Sequence, residues 1–174
     1  GTVTGTVANN GRTDDSNLTV RVSLTGTNAV AGDSVRLFNG TTALGTAVTL
    51  TATDISNGYV DVATGVLADG LVALNAKITD AAGNSSAASA STNVTVDTVA
   101  PSAPTITSVT DDVGTITGTV GHNGRTDDTN LAVRVSLNST SAVAGDSARL
   151  FNGTTALGTA VTLTATDISN GYVD

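Results

Sequence analysis

The 174-residue sequence predicts an all-β chain, built as tandem antiparallel β-sandwich domains that are both incomplete here and joined by a short proline-containing linker. Three observations carry that prediction. Residues 1–61 return as residues 114–174 at an offset of 113, with nine differences, among them Asn9 against His122 and Val35 against Ala148. A period of this size exceeds the 20 to 50 residues of solenoid units and matches a whole domain with its own core. Apolar residues alternate with period two, as in Leu131, Val133, Val135 and Leu137, within Thr- and Val-rich runs. Nineteen glycines and frequent Asn-Gly, Asp-Gly and Ala-Gly steps divide the chain into short runs, and no stretch shows helix spacing with caps, so no long helix is expected.

One full period begins at Pro101 and takes its tail from the first copy. Strands are expected over 105–110, 115–120, 131–137, 148–151 and 157–163, then over 58–63, 71–79 and 91–96. The pair Asn39-Gly40 marks a hairpin. Seven or eight short antiparallel strands at this spacing fit an immunoglobulin-like sandwich. The expected division is a repeat over 1–97 that lacks its first strand, a linker over 98–104, and the N-terminal part of the next repeat over 105–174. The segment 97–104 holds both prolines, which makes the connector semi-rigid. Incomplete repeats leave sheet edges unpaired, so the expectation is either strand exchange between molecules, or completion by neighbouring molecules, or a segment cut from a longer chain.

Composition narrows the chemistry. All fifteen acidic residues are Asp, Lys77 is the sole lysine, and six arginines complete the positive charge for a net charge of −8. Asp without Glu points to turns and carboxylate ligands rather than to surface solubility alone. The negative balance argues against nucleic acid and anionic membranes and favours cations as partners. No apolar run is long enough to span a bilayer, and no signal peptide opens the sequence, so export information is expected elsewhere. With no cysteine there is no disulfide framework or thiolate zinc site. With two Phe, two Tyr and no Trp or Met, the core falls to Val, Leu, Ile and Ala and should be thin. Phe38, Tyr59, Phe151 and Tyr172 are expected as core plugs, and the arginines as partners of Asp on neighbouring strands. His122 is the single histidine and its counterpart is Asn9, so no Ser-His-Asp-type set recurs in both copies and no enzymatic activity is expected.

The run DTVAPSAPTITSVTDDVG at 97–114, with LADG at 67–70 and TDAAGN at 79–84, resembles the Ig-like repeats of giant bacterial adhesins of the RTX, type I-secreted class, including biofilm-associated proteins. The resemblance spans the whole period. It implies a calcium-binding extender that holds a distal ligand-binding domain away from the cell, with neighbouring repeats as partners and an extracellular, cell-surface location. The glycine-rich nonapeptide of that class does not occur in this sequence. The alternative reading is a repeat that itself binds a glycan or a cell-surface partner.

Calcium takes six to eight oxygen ligands from carboxylates, Asn side chains and turn carbonyls. The candidate ligands are Asp97 in the linker segment, Asp80 with Asn84, Asp33, the adjacent pairs Asp14 with Asp15, Asp111 with Asp112 and Asp127 with Asp128, and Asp146. Adjacent carboxylates repel unless a cation neutralises them. The competing reading is that these are turn formers bonded to their own backbone. Asp97 has two expected placements. It shares an ion with Asp111, Asp112 and Asp146 of the next domain, or it joins Asp14, Asp15 and Asp69 at the exit pole of its own.

Overall fold

The computed structural model describes residues 4–174. The chain divides into two compact units, Gly1–Val99 and Ala100–Asp174, and the division falls inside the expected linker. Strands dominate both units.

In the first unit the order is β1 (Gly11–Thr13), β2 (Thr19–Ser23), β3 (Ser34–Asn39), β4 (Thr42–Thr49), α1 (Ala52–Asn57), β5 (Tyr59–Ala63), β6 (Gly70–Thr79) and β7 (Thr92–Val96). Five strands form one sheet in the order β1-β7-β6-β3-β4, and β2 pairs with β5 in another. The inward residues of β3 and β6 (Val35, Leu37, Ala76) join Val60 and Val62 of β5 in a single aliphatic cluster, with Leu24 and Leu50 closing it. A second cluster gathers Leu67, Val72, Leu74, Val94 and Val96. Period-two alternation produces this arrangement, because every other side chain of a strand leaves water for the same side. The hairpin at Asn39-Gly40 is present. Asn39 pairs with Thr42, and Gly40 opens the two-residue loop at φ 59°, a conformation glycine adopts without steric cost.

The second unit contains β8 (Thr105–Asp111), β9 (Gly118–Thr119), β10 (Ala132–Ser136), β11 (Ser147–Asn152), β12 (Thr155–Thr162), α2 (Ala165–Asn170) and β13 (Tyr172–Val173). Four strands form a sheet in the order β13-β10-β8-β9, and β11 and β12 make a separate hairpin. Val135, Leu163 and Val173 form its small buried cluster.

Four expectations need correction. The segment TATDISN folds into a short helix in both copies: Thr51 accepts a hydrogen bond from the Asp54 backbone, Asp54 returns one to the Thr51 backbone, and Gly58 closes the end at φ 75°. Thr164, Asp167 and Gly171 repeat that capping box. The strand expected over 115–120 reduces to Gly118–Thr119. The pairing is not wholly antiparallel, since β1 runs parallel to β7. The aromatic rings are not core plugs. Tyr59 and Tyr172 lie beneath the guanidinium groups of Arg21 and Arg134, at 3.8 and 3.7 Å from the ring centres, and Phe151 is 58 % exposed. The buried apolar side chains of the described residues are all aliphatic.

Arg12, Arg21 and Arg134 pair with Asp as expected, whereas Arg36 and Arg149 donate to the backbone carbonyls of Gly45 and Gly158. Arg21 donates two hydrogen bonds to Asp61 across the β2–β5 ladder, both 2.8 Å, and Arg134 does the same to Asp174 at 2.7 and 2.6 Å. Hydrogen bonding to the guanidinium holds both carboxyls below the usual range. These pairs are exposed, and their main effect is to fix cross-strand register.

Candidate metal centre

The candidate acids fall into three places. The first is one end of the five-stranded sheet in unit one, where Ser34 of β3 pairs with both Thr49 and Thr79. Asp33, Asp54 and Asp80 therefore emerge on the same side. Each is used locally. Asp33 Oδ2 accepts from the Val30 backbone at 2.9 Å, and Asp54 caps α1. Asp80 accepts from the backbones of Ala82 and Asn84 and from the Asn84 amide, and the Asn84 bonds hold its carboxyl below the usual range. In unit two Asp146 repeats the role of Asp33, accepting from Val143 at 2.9 Å. These four are turn and cap formers.

The second place is the opposite end of the same sheet. Val96 of β7 pairs with Thr13 and with Gly70, so the next residues along the three strands are Asp97, Asp14 and Asp69. The chain thus brings Asp97 to the acids of its own unit. Its carboxylate makes a 2.5 Å ion pair with Arg12, while Asp69 accepts from the backbone and hydroxyl of Thr98 at 3.1 and 2.9 Å. Asp15 is exposed and accepts from the Asn17 backbone.

The third place is in unit two, where the end of β8 meets the loop before β10. Asp111 is 2 % exposed and Asp128 is 7 % exposed, although neither has a basic partner among the described residues. Thr126 joins them: its hydroxyl donates to Asp111 Oδ2 at 2.5 Å and accepts from the Asp128 backbone at 3.0 Å. Asp111 Oδ1 accepts from the Val113 backbone and Asp128 Oδ1 from the Asn130 backbone. Asp128 Oδ2 is buried without a hydrogen-bond partner. Beside this loop the Asp127 carboxylate packs so closely on Gly114, at φ 79°, that a Cβ there would collide with it. Asp112 is exposed.

Both copies contain Thr-Asp-Asp-x-Asn, at 13–17 and 126–130, with the same Thr and Asn contacts to the second Asp. Asp15 is nevertheless exposed and Asp128 buried. The difference is β8 and the residues after it, which bring Asp111 onto the motif in unit two. Thr126, Asn130 and Gly114 were not singled out from sequence. The repeated Thr-Asp-Asp-x-Asn was the signal that could have found Thr126 and Asn130.

A buried carboxylate oxygen without a partner carries its full desolvation penalty unless a cation neutralises it. The donor set is all oxygen, which suits a hard divalent ion such as calcium and excludes a thiolate or imidazole site. Among the described residues no three His, Cys, Asp or Glu side chains converge as a ready-made metal cage. An ion here would draw on Asp111, Asp128, backbone carbonyls and water. Comparisons with protein-family models, curated proteins and solved structures returned no match.

Proposed function

We propose that this chain is a stretch of a calcium-stiffened, immunoglobulin-like extender, a spacer repeat of a secreted bacterial surface adhesin. The observation that carries the reading is the unpartnered, buried Asp128 Oδ2 beside the buried Asp111 carboxylate. The near-identity of the two copies adds to it, because selection for length tolerates repetition of one module. The sheet order β1-β7-β6-β3-β4, with β2-β5 sharing its aliphatic cluster, supports an immunoglobulin-like sandwich as the fold of a complete repeat.

In this reading Asp111 at the end of β8 and Asp128 before β10 are the primary ligands, and the ion ties the first strand of a repeat to its body. Asp97, Asp14 and Asp69 form a secondary acidic end where a second ion would compete with Arg12. An ion that binds the folded repeat and not the unfolded chain adds about 2.7 kcal/mol when free calcium is a hundredfold above its Kd. For a small aliphatic core that is a large share of the total.

The test is calorimetric titration of the intact chain with calcium and with magnesium. Calcium binding that disappears in Asp128→Asn and persists in Asp15→Asn supports the site. Absence of calcium binding, or binding unchanged in Asp128→Asn, refutes it. A glycan array with the intact chain should be blank for a spacer, and a saturable signal there would instead assign recognition to the repeat itself.

A further inference from the structure

The parallel pairing of β1 with β7 joins the entering and leaving strands of unit one. Its register sets Gly11 against Val94, Arg12 against Thr95 and Thr13 against Val96. Further bonds fasten both ends of this short ladder. Ahead of it, the Asn10 N–H donates to the Asn93 carbonyl at 2.7 Å, and Asn9 Oδ1 accepts from the Asn93 N–H at 2.8 Å. Beyond it, the Asp97 N–H donates to the Thr13 carbonyl at 2.9 Å, and the Asp97 carboxylate pairs with Arg12. The turn that aims Asn9 and Asn10 is local: the Gly11 N–H donates to the Ala8 carbonyl at 2.8 Å, and Asn10 has φ 64°. The same turn recurs at 121–124, where Asn123 has φ 59°. Val94 and Val96 are 2 % and 1 % exposed, and β6 pairs with the other edge of β7, so β7 is anchored in the core of the unit.

We propose that the β1–β7 pair is a mechanical clamp that takes tension along the chain in shear, with Asn9 and Arg12 as its locks. Its use rests on the spacer reading, because a tether works under tension, whereas its mechanics rest on strand direction alone. A pull on the residues before β1 draws that strand toward its N-terminus. A pull on the residues after β7 draws that strand toward its C-terminus. Because the strands are parallel, the two motions are opposed along one axis, and every cross-strand bond is strained together. An antiparallel pair pulled at its adjacent ends opens one bond at a time instead. The exposed Arg12–Asp97 pair adds little at equilibrium. Asp97 lies two residues beyond the register partner of Arg12, so sliding stretches this ion pair from the first step.

The test is single-molecule force spectroscopy on the intact chain, in calcium and again in chelator. The difference between pulling directions is expected in both media, whereas the calcium reading concerns the change between media. The sequence contains no cysteine, so paired substitutions give unique handles. Thr6→Cys with Val99→Cys loads β1 and β7 in shear. Ala68→Cys with Val99→Cys pulls on adjacent ends, where Asp69 accepts from Thr98, and peels β7 away bond by bond. A higher rupture force is expected for the first pair at the same loading rate. Asn9→Ala removes one hydrogen bond from the clamp and should raise the unfolding rate at constant force about fivefold, in the shear direction only. Equal rupture forces in the two directions, or an Asn9→Ala effect that is the same in both, overturn the proposal.

Discussion

Leu37 and Leu150 are equivalent residues of the two copies, in hairpins that differ only at Val35 against Ala148, and they provide an internal comparison for the packing of the chain. Leu37 is 1 % exposed in the cluster of Val35, Val60, Val62 and Ala76. Leu150 is only half-buried, because β11 has no neighbour on its second edge among the described residues. A fully buried Leu→Ala change costs about 2–5 kcal/mol, the transfer of the lost methyl groups plus the cavity left behind. Leu37→Ala should therefore destabilise unit one by about 3 kcal/mol. Leu150 packs only partly buried against Val135, Leu163 and Val173, so Leu150→Ala gives up less buried area and a smaller loss, about 1–2 kcal/mol, is expected. For units of this size 1 kcal/mol corresponds to roughly 4–8 °C in Tm. Hydrogen exchange followed by mass spectrometry along a urea series reads each unit separately from its own peptides. Equal losses for the two substitutions would refute the claim that β6 is what buries this face.

The glycines following the hairpin make a second matched pair. A Cβ on Gly45 would lie 2.6 Å from the Ala63 carbonyl, whereas at Gly158 nothing lies within 4 Å. Both have positive φ, so Gly45→Ala should cost about 1–3 kcal/mol more than Gly158→Ala, measured by the same exchange series. Thr51→Ala removes the helix cap and should cost unit one about 1 kcal/mol, with faster exchange at Ile55 and Gly58. Hydrogen bonds from Thr51 and Thr164 hold the Asp54 and Asp167 carboxyls below their ordinary value of 3.8. Because the folded-state values are depressed, this contribution is complete above about pH 4 and is lost as pH falls through them. Protection of the two helices, taken relative to the intrinsic exchange rate at each pH, should fall only below that point, and a loss of protection beginning near pH 6 would contradict the assignment.

Most strands were legible because a half-buried strand writes its two faces directly as alternation, as 131–137 and 71–79 do. The edge strand Gly11–Thr13 was not. Three residues cannot show a period, and its pairing with β7 depends on a segment some eighty residues away. The helices were missed for a related reason. Six residues give less than two turns of apolar pattern, and their signal is the cap Thr51-x-x-Asp54 with Gly58. The aromatic residues were misplaced because composition shows how few rings there are and not that an arginine on the neighbouring strand lies over each Tyr. For the candidate site, sequence identified paired acids, and Asp97 lies beside the acids of its own unit. It could not distinguish Asp15 from Asp128, which differ in whether a strand carrying Asp111 covers the motif.

The proposed function requires calcium to stabilise the repeat through Asp111 and Asp128. Thermal unfolding of the intact chain in calcium, in magnesium and in chelator tests it most directly, with exchange at the two units read in parallel. An upward shift of roughly 10–20 °C is expected in saturating calcium, greatest in unit two, absent in magnesium and abolished by Asp128→Asn. Identical unfolding in calcium and chelator would contradict it and leave these acids as turn formers.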